Sequence, residues 1–299
     1  MYIAVTGASG LIGRALVPFL SGVGHRVVTV SRHPQGPDQI RWDPVRGELD
    51  SSRLEGIDAA VHLAGEPVGV RWTAARKRRI LESRVRGTRL LAETLARLPR
   101  PPRVLVVASG AGIYGNRGEA ILTEDTPPGE APPDFLVEVA RAWEAAAEPA
   151  RVARIRVVHL RLGMVLSPDG GALGRMLPLF RLGLGGPLGS GRQWVSWIAM
   201  EDVLGAAEHA LLTPGLAGPA NATSPEPVTG RVLAKTLGRV LGRPALLPAP
   251  AAALQLVFGE MARTALLGSA RVLPSRLLAS GYHFRFPSLE PTLRALLGR

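Results

Sequence analysis

Thr6-Gly7-Ala8-Ser9-Gly10-Leu11-Ile12-Gly13 joins a short apolar run at the amino end of the chain to a segment with helical periodicity. Glycines at this G-x-x-G-x-x-G spacing have separate tasks between a strand and a helix. Gly7 permits a tight turn, Gly10 lets the backbone approach a ligand, and Gly13 allows the helix to pack closely on the strand. The stretch therefore predicts a strand-loop-helix unit that binds a phosphate group.

The helix predicted after this loop would present its first backbone N–H groups, at Leu11 and Ile12, to the phosphate. Its apolar residues recur at helical spacing and predict one buried stripe, formed by Leu11, Ile12, Ala15, Leu16, Phe19 and Leu20. Pro18 interrupts this pattern and predicts a local kink, because proline removes one internal hydrogen bond.

Short apolar runs alternate with longer helical patterns along the first half of the chain. The runs are partly β-branched and cover residues 2–6, 26–30, 58–63, 103–108 and 155–162. The longest helical pattern covers residues 73–97 and ends at a proline-rich stop. This alternation is typical of a parallel sheet with helices on both faces. The sequence therefore predicts an α/β fold with a Rossmann-type doubly wound parallel sheet.

The second half of the chain changes in character. Glycine and proline become dense from residue 167 to residue 191, and helical patterns replace the alternation from residue 223 onward. We therefore predict a nucleotide-binding domain over residues 1–165, completed by residues from about 200 to 222. Residues 166–199 and 223–299 are predicted to form a smaller, mostly helical substrate lobe.

The composition narrows the function classes. The chain is 46% hydrophobic and has no cysteine, so a large core is feasible, whereas disulfides, thiolate catalysis and sulfur-bound metals are excluded. We expect a cytoplasmic protein without a membrane span and without a metal site. The net charge of +12 and the basic residues between 76 and 89 make nucleic-acid binding an alternative. A general arginine bias explains the charge better, and we expect no nucleic-acid partner.

The end of the second predicted strand indicates which dinucleotide binds. Folds that prefer NAD(H) carry an acidic residue there, which binds the ribose 2′-hydroxyl. This chain has Ser31 and Arg32 instead, and a guanidinium matches a 2′-phosphate that a carboxylate would repel. The residues therefore favour NADP(H), although an exposed surface arginine is the alternative interpretation. Asp43 is a candidate acceptor for the adenine amino group, or else a solvated turn carboxylate.

With these residues in place, the sequence resembles the extended short-chain dehydrogenase/reductase (SDR) superfamily. Three of its motifs are matched, at Thr6–Gly13, His62–Gly65 and Ser109–Gly115. Nearly the whole chain is similar to an atypical subfamily known as epimerase family proteins, some of which are described as sugar-nucleotide epimerases. The pieces that carry this closer resemblance are Leu63–Pro67, Arg71–Trp72, Ser83–Arg84, Gly170–Gln193 and Gly281–Tyr282.

The resemblance implies that Leu63, Ala64, Gly65 and Arg84 lie near the cofactor, with the carboxyl-terminal lobe over its nicotinamide end. On pattern alone, Arg84 fits a solvated basic helix face equally well. His62 lies in an apolar run and is interpreted as a core or edge histidine rather than a base.

The catalytic pair that the resemblance leads us to expect is missing. The mechanism of this superfamily needs a tyrosine whose phenol is made acidic by a lysine four residues on, and a serine or threonine that orients the substrate. Residues 134–144, where the pair should fall, contain neither tyrosine nor lysine. Ser109 and Tyr114 are therefore the candidate catalytic residues, although the superfamily normally uses this tyrosine as loop architecture. The glycine-rich lobe is the alternative source of the acid, and Glu144 is interpreted as structural.

The glycine-rich part of the lobe is the candidate substrate site. Arg192 and Gln193 are predicted to bind a small polar substrate. Together with Arg175 and Arg181, Arg192 favours an anionic ligand, and a solvated basic face is the alternative. Asp202 is interpreted as a helix cap or corner anchor.

Two functions remain open on the sequence. The first is an NADP(H)-dependent oxidoreductase or epimerase of altered mechanism, in which Ser109 and Tyr114 polarise the substrate oxygen. The second is a non-catalytic NADP(H) sensor or regulatory module, which the missing tyrosine–lysine pair favours. The substrate and the oligomeric state stay open, with a homodimer among the expected arrangements.

Overall fold

The computed structural model describes residues 1–36, 38–130 and 134–299. Its strands are β1 Tyr2–Thr6, β2 Arg26–Ser31, β3 Gln39–Asp43, β4 Glu48–Leu49, β5 Ala59–His62, β6 Val104–Gly110, β7 Ile121–Leu122, β8 Arg156–Leu162, β9 Met164–Ser167, β10 Trp194–Val195, β11 Trp197–Ala199, β12 Gly218–Ala222, β13 Val228–Thr229 and β14 Arg271–Val272. Its helices are α1 Leu11–Gly22, α2 Ala74–Ala96, α3 Phe135–Ala145, α4 Glu148–Val152, α5 Gly171–Arg181, α6 Met200–Leu212, α7 Gly230–Leu241, α8 Ala251–Phe258, α9 Ser275–Ala279 and α10 Leu289–Leu297.

Eight strands form the central sheet, in the order β12-β8-β6-β5-β1-β2-β3-β4. Neighbouring strands are parallel except for β3 and β4, which form an antiparallel edge. After β1 the chain continues toward one edge of the sheet, and from β5 it continues toward the other. The predicted α/β doubly wound fold is thus confirmed. Ligands of such sheets bind at the carboxyl ends of the strands, where the order reverses.

Helices cover both faces of the sheet. On one face α1 and α6 pack around apolar residues that include Leu16, Leu20 and Val203. On the other face α2 and α4 pack around residues that include Leu91 and Leu95. Helix α1 continues through Pro18, which lies on its exposed side. Because α1 follows β1 after only four residues, its amino end lies at the carboxyl end of β1.

The five predicted strands correspond to β1, β2, β5, β6 and β8, each within two residues at either end. The sequence pattern did not predict β3, β12 or helix α5. Strand β12 has the sequence Gly-Pro-Ala-Asn-Ala, which has weak strand propensity, and it pairs with β8 because of its position in the sheet. Helix α5 lies within the glycine-rich stretch, where propensity argues against a helix.

A second core lies beside the sheet. It joins Leu173, Leu177 and Phe180 of α5 to Leu237 of α7 and Leu293 of α10. Strand β14 pairs with β7, so the carboxyl-terminal part of the chain also contacts the segment that follows β6. No described helix is long and apolar enough to cross a membrane.

Candidate functional site

The glycine loop forms a cradle at the carboxyl end of β1. Gly7 has a φ of +71°, and a Cβ there would lie 2.7 Å from Ala64 N. A Cβ on Gly13 would lie 2.2 Å from the Gly7 oxygen, so both positions require glycine. Gly10 precedes α1 and supplies no side-chain cap, which leaves the first N–H groups of the helix, beginning at Leu11, open to an anion.

The floor of the cradle is tied to β5. Thr6 Oγ1 accepts hydrogen bonds from the backbone N–H groups of Leu63 (3.2 Å) and Ala64 (3.4 Å), and it lies 2.7 Å from Nδ1 of His62. His62 is fully buried, and burial, with a smaller contribution from Arg84, lowers its pKa to about 3. A neutral, fully buried imidazole agrees with the interpretation of His62 as a core residue rather than a base.

Arg84 lies beneath the loop that follows β5. Its Nη1 donates to the carbonyl oxygens of Glu66 (2.8 Å) and Ile80 (3.2 Å), and its guanidinium stacks 4.7 Å from the ring centroid of Trp143. A Cβ on Gly65 would lie 3.0 Å from Arg84 Cζ. Burial lowers the pKa of Arg84 to about 10, and Glu66 opposes the shift. The solvated-face interpretation of Arg84 is therefore wrong, whereas its contact with the cofactor stays a prediction.

The predicted 2′-phosphate residues lie at the carboxyl end of β2. Arg32 is exposed, and no described residue forms an ion pair with it. Ser31 Oγ accepts a hydrogen bond from His33 N (3.2 Å). Asp43 lies two strands from β1, and its Oδ1 accepts from the backbone N–H groups of residues 45 and 46 at 2.9 and 3.2 Å. Asp43 thus stabilises a turn, and its contact with adenine stays a prediction.

Ser109 belongs to a buried polar network on the face covered by α3. Its Oγ donates to Glu144 Oε1 (2.8 Å), and the same carboxylate receives two hydrogen bonds from Arg161, at 2.8 and 2.9 Å. The three residues come from β6, α3 and β8, and Ser109 is directly opposite Arg161 in the sheet register. The Arg161 guanidinium and the Glu144 carboxylate are both largely shielded from water, and each neutralises the charge of the other. These contacts agree with the interpretation of Glu144 as a structural residue.

Tyr114 completes this network from inside the protein. Its side chain is fully buried, its hydroxyl donates to Asn221 Oδ1 (2.8 Å), and the same oxygen accepts from Arg161 Nη1 (2.9 Å). Burial raises the pKa of the phenol, and Arg161 opposes this shift. Because the hydroxyl already has two internal partners, the geometry does not support the predicted contact of Tyr114 with a substrate. Ser109, also buried and bound, is in a similar position.

The segment that lacks the tyrosine and lysine forms an apolar wall. Phe135 of α3 packs edge-on against Trp72 at a centroid distance of 4.9 Å, and Val139 is buried in the same cluster. Lys77 lies 4.9 Å over the ring of Phe135 and forms an ion pair with Glu260. No proton donor takes the place of the missing pair on the described part of α3 that faces this cluster.

The two predicted substrate residues have different surroundings. Gln193 is 8% exposed, and its Nε2 donates to the carbonyl oxygens of Leu188 (3.1 Å) and Leu266 (3.3 Å). It therefore fastens the glycine-rich loop to the segment after α8. Arg192 is exposed, and only its backbone N–H has a described partner, Ser190 Oγ. Of the two, Arg192 is the residue available to an incoming ligand.

Asp202 is an anchor for the carboxyl-terminal segment. Its carboxylate accepts from Arg285 N (2.8 Å), Phe286 N (2.9 Å) and the hydroxyl of Tyr282 (3.1 Å). Helix α6 begins after Ala199 without a side-chain cap. Asp202 therefore does not cap α6, because its acceptors are used by a distant part of the chain. Its contacts agree with the other half of the interpretation, an anchor at the corner between β11 and α6.

Sequence reasoning missed Arg161 and Asn221, the residues that bind Tyr114. A signal for Arg161 was present, since a charged residue inside the apolar run 155–162 needs a buried partner. Asn221 gave no such signal, because its strand was not predicted. Its backbone N–H donates to Glu124 (2.8 Å) and its amide to the oxygen of Leu273 (2.9 Å), so one residue joins three segments.

Models of known families match most of the chain. Residues 3–220 match the NAD dependent epimerase/dehydratase family, and residues 249–296 match a domain of unknown function, DUF1731. The epimerase family protein SDR39U1 of Bos taurus is 42% identical over 301 residues, covering 99% of this chain and all of that protein. The epimerase family protein Mb2239 of Mycobacterium bovis is 39% identical over 293 residues, covering 97% of this chain and 96% of that protein.

Solved structures show the same architecture. The crystal structure of human epimerase family protein SDR39U1 (isoform 2) with NADPH has a TM-score of 0.91 and 39% identity, with 100% of both chains covered. The nucleoside-diphosphate sugar epimerase from Corynebacterium glutamicum has a TM-score of 0.81 and 36% identity, covering 100% of this chain and 58% of that one. The chain therefore belongs to the NAD dependent epimerase/dehydratase family and carries a DUF1731 domain over residues 249–296.

Proposed function

We propose that this protein is an NADP(H)-dependent oxidoreductase or epimerase that acts on a small polar substrate. The observation that carries the proposal is the pairing of an open anion cradle with a strand end that bears an exposed guanidinium. The cradle offers uncapped N–H groups at the start of α1, and β2 ends at Ser31, which is followed directly by Arg32 and not by an acidic residue. The human relative whose crystal structure contains NADPH supports the same cofactor.

The residues at the cradle fit a dinucleotide. The pyrophosphate would lie against the amino end of α1. A Cβ on Gly7 or Gly13 would clash with neighbouring backbone atoms and so change the shape of the loop. Ser31 and Arg32 would hold the 2′-phosphate, and the loop from Leu63 would flank the nucleoside. When bound, the nicotinamide supplies the capacity to donate or accept a hydride.

In this proposal Ser109 and Tyr114 are positioning residues. They fix Arg161 and Glu144 at the carboxyl ends of β6 and β8, where the nicotinamide end of a dinucleotide would lie. Their own hydroxyls stay bound inside the protein. We therefore expect neither hydroxyl to supply a proton to the substrate.

The basic residues of the lobe favour an anionic substrate. Residues 170–200 contain Arg175, Arg181 and Arg192 and no acidic residue. Arg175 donates to the carbonyl oxygen of Gly69, which places one of these cations next to the loop that follows β5. An anion bound here would lie between the lobe and the cofactor site.

Calorimetric titration of the cofactor-free protein with NADPH and NADH tests the cofactor directly. We expect clear preference for NADPH, and loss or inversion of that preference in Arg32→Glu, because a carboxylate repels the 2′-phosphate. Equal affinity of the two dinucleotides for the wild-type protein would contradict the proposal. A clear preference for NADPH would justify a screen of small anionic carbonyl compounds and sugar nucleotides for a change in nicotinamide absorbance.

The second candidate function is a non-catalytic NADP(H) sensor. It is favoured by the engaged hydroxyls of Ser109 and Tyr114 and by a direct link between the cofactor side and the lobe. Arg71, in the loop after β5, donates to the carbonyl oxygens of Leu256 (2.7 Å) and Val257 (2.9 Å) at the end of α8. A sensor would show different proteolytic protection of α8 with NADP⁺ and with NADPH. Turnover of any screened substrate would exclude this alternative.

A further inference from the structure

We propose that Arg41 is a second guanidinium ligand of the cofactor's 2′-phosphate and shares it with Arg32. The inference rests on the proposed NADP(H) function and adds a residue from the neighbouring strand to that site. It makes cofactor selection a property of two adjacent strand ends, β2 and β3, rather than of the residue after β2 alone.

The sheet register brings Arg41 to this site. Ser31 and Arg41 are direct partners in the parallel pair of β2 and β3. Partners in a parallel pair point to the same face, on strands about 4.8 Å apart. Ile40 and Trp42 are buried on the opposite face, so the alternation places the Arg41 side chain on the exposed face beside Ser31.

The charges around the two arginines point to an anion. Other arginines near this edge have partners: Arg46 forms an ion pair with Asp43, and Arg26 stacks over the ring of Tyr2. Neither Arg32 nor Arg41 forms an ion pair or a side-chain hydrogen bond with a described residue. Glu48 and Asp50 lie on the surface around Arg41, but neither forms an ion pair with it. A phosphate held between Arg32 and Arg41 would give both cations a direct counter-charge.

Ser31 completes a donor set for three phosphate oxygens. Its Oγ already accepts from the backbone N–H of His33, so its O–H is left to donate. Each guanidinium presents several N–H groups in a planar fork that matches phosphate oxygens. A nucleotide without the 2′-phosphate would gain nothing from Arg41, so this residue would act on selectivity alone.

Calorimetric titration with 2′,5′-ADP and 5′-ADP isolates the 2′-phosphate. Arg41→Ala should weaken binding of 2′,5′-ADP by about ten-fold or more, the effect expected on loss of a charge-assisted hydrogen bond, and leave 5′-ADP unchanged. Arg41→Lys should show an intermediate loss, because it keeps the charge and loses the fork. Arg26→Ala is the matched control, since it removes one exposed cation from the opposite end of β2 and should change neither affinity.

A second readout excludes a folding artefact. The increase in melting temperature that 2′,5′-ADP gives to the wild-type protein should shrink in Arg41→Ala, while the melting temperature without ligand stays the same or rises. If Arg41→Ala retains the wild-type affinity for 2′,5′-ADP, the inference is overturned and the proposed function stands. If the wild-type protein itself does not distinguish 2′,5′-ADP from 5′-ADP, both are overturned.

Discussion

The candidate site has two ends, one at the carboxyl end of β1 and one at the carboxyl ends of β6 and β8, and they are built in different ways. At the β1 end, backbone atoms form the cradle, and its shape depends on glycines within a single stretch of eight residues. At the β6 and β8 end, Ser109, Tyr114 and Arg161 are brought together from separate elements and are buried. The first end offers open donors to a ligand, whereas the second uses its donors on itself.

This difference explains why motif spacing is a good guide at one end and a poor one at the other. The start of α1 leaves its first backbone N–H groups open, because Gly10 has no side chain that could cap them. A serine or tyrosine at a strand end acts on a ligand only if no internal partner binds its hydroxyl first. Here Glu144 and Asn221 are those partners.

Arg161→Met should produce the largest effect, because it leaves Glu144 buried without its counter-charge. We expect the free energy of unfolding to fall by about 3–5 kcal/mol. Denaturation with urea measures the loss. The matched control is Arg151→Met, which breaks an exposed ion pair with Glu148 and should change stability little.

A double variant sharpens this test. Arg161→Met combined with Glu144→Leu removes both charges together, and it should recover part of the stability that the single variant loses. Equal stability of Arg161→Met and Arg151→Met would show that the network does not hold the β6 and β8 end together, and the contrast with the cradle would fail.

Gly13→Ala tests the cradle. Alanine normally favours a helix over glycine, but here its Cβ would lie 2.2 Å from the Gly7 oxygen. We expect a loss of up to about 3 kcal/mol in the free energy of unfolding and strong weakening of NADPH binding by calorimetry. Gly22→Ala, in the same helix with no atom within 4 Å of the added Cβ, is the control and should keep both properties. Unchanged NADPH affinity in Gly13→Ala would mean that the dinucleotide binds elsewhere.

The cradle and the parallel sheet could be predicted because their signals are local. The glycine spacing, the alternation of apolar runs and the basic end of β2 all lie within short segments. The 3₁₀ turn at Ala111–Tyr114 shows the limit of such signals. Its motif was found, but the direction of the Tyr114 hydroxyl depends on Asn221, more than a hundred residues away and on a strand with weak propensity.

Asp202 and Gln193 show the same limit. Each has a residue type that suits the predicted role, a cap or corner anchor for Asp202 and a substrate ligand for Gln193. In the structure, Asp202 binds backbone N–H groups at residues 285 and 286, and Gln193 binds the oxygen of Leu266. These partners all lie within the DUF1731 domain, and no local pattern indicates them.

His62 allows a test of how far the cradle depends on buried contacts. Its pKa is about 3 in the folded protein, against an ordinary value of 6.5. Below pH 6.5 the unfolded chain binds a proton that the folded chain does not, so stability falls as the pH falls. The slope approaches about 1.4 kcal/mol per pH unit, giving about 2 kcal/mol between pH 6.5 and pH 5.

The measurement is urea denaturation of the wild-type protein and of His62→Asn across this pH range. The variant should show a flatter dependence, because one depressed imidazole is gone. His33→Asn, which replaces a histidine at an exposed position, is the matched control. A slope that His62→Asn does not change would show that other groups cause the acid sensitivity.

Tyr114→Phe should have the smallest effect on the free energy of unfolding. It also distinguishes a positioning role of Tyr114 from a catalytic role. The change removes one hydroxyl from between Arg161 and Asn221, which should cost about 1 kcal/mol of unfolding free energy. NADPH affinity should stay at the wild-type value, because the phenol faces the interior rather than the cradle. Once a substrate is identified, a positioning role predicts a modest loss of turnover with an unchanged pH profile. Loss of turnover with a changed pH profile would instead make the phenol catalytic, and the two ends of the site would then both act directly on ligands.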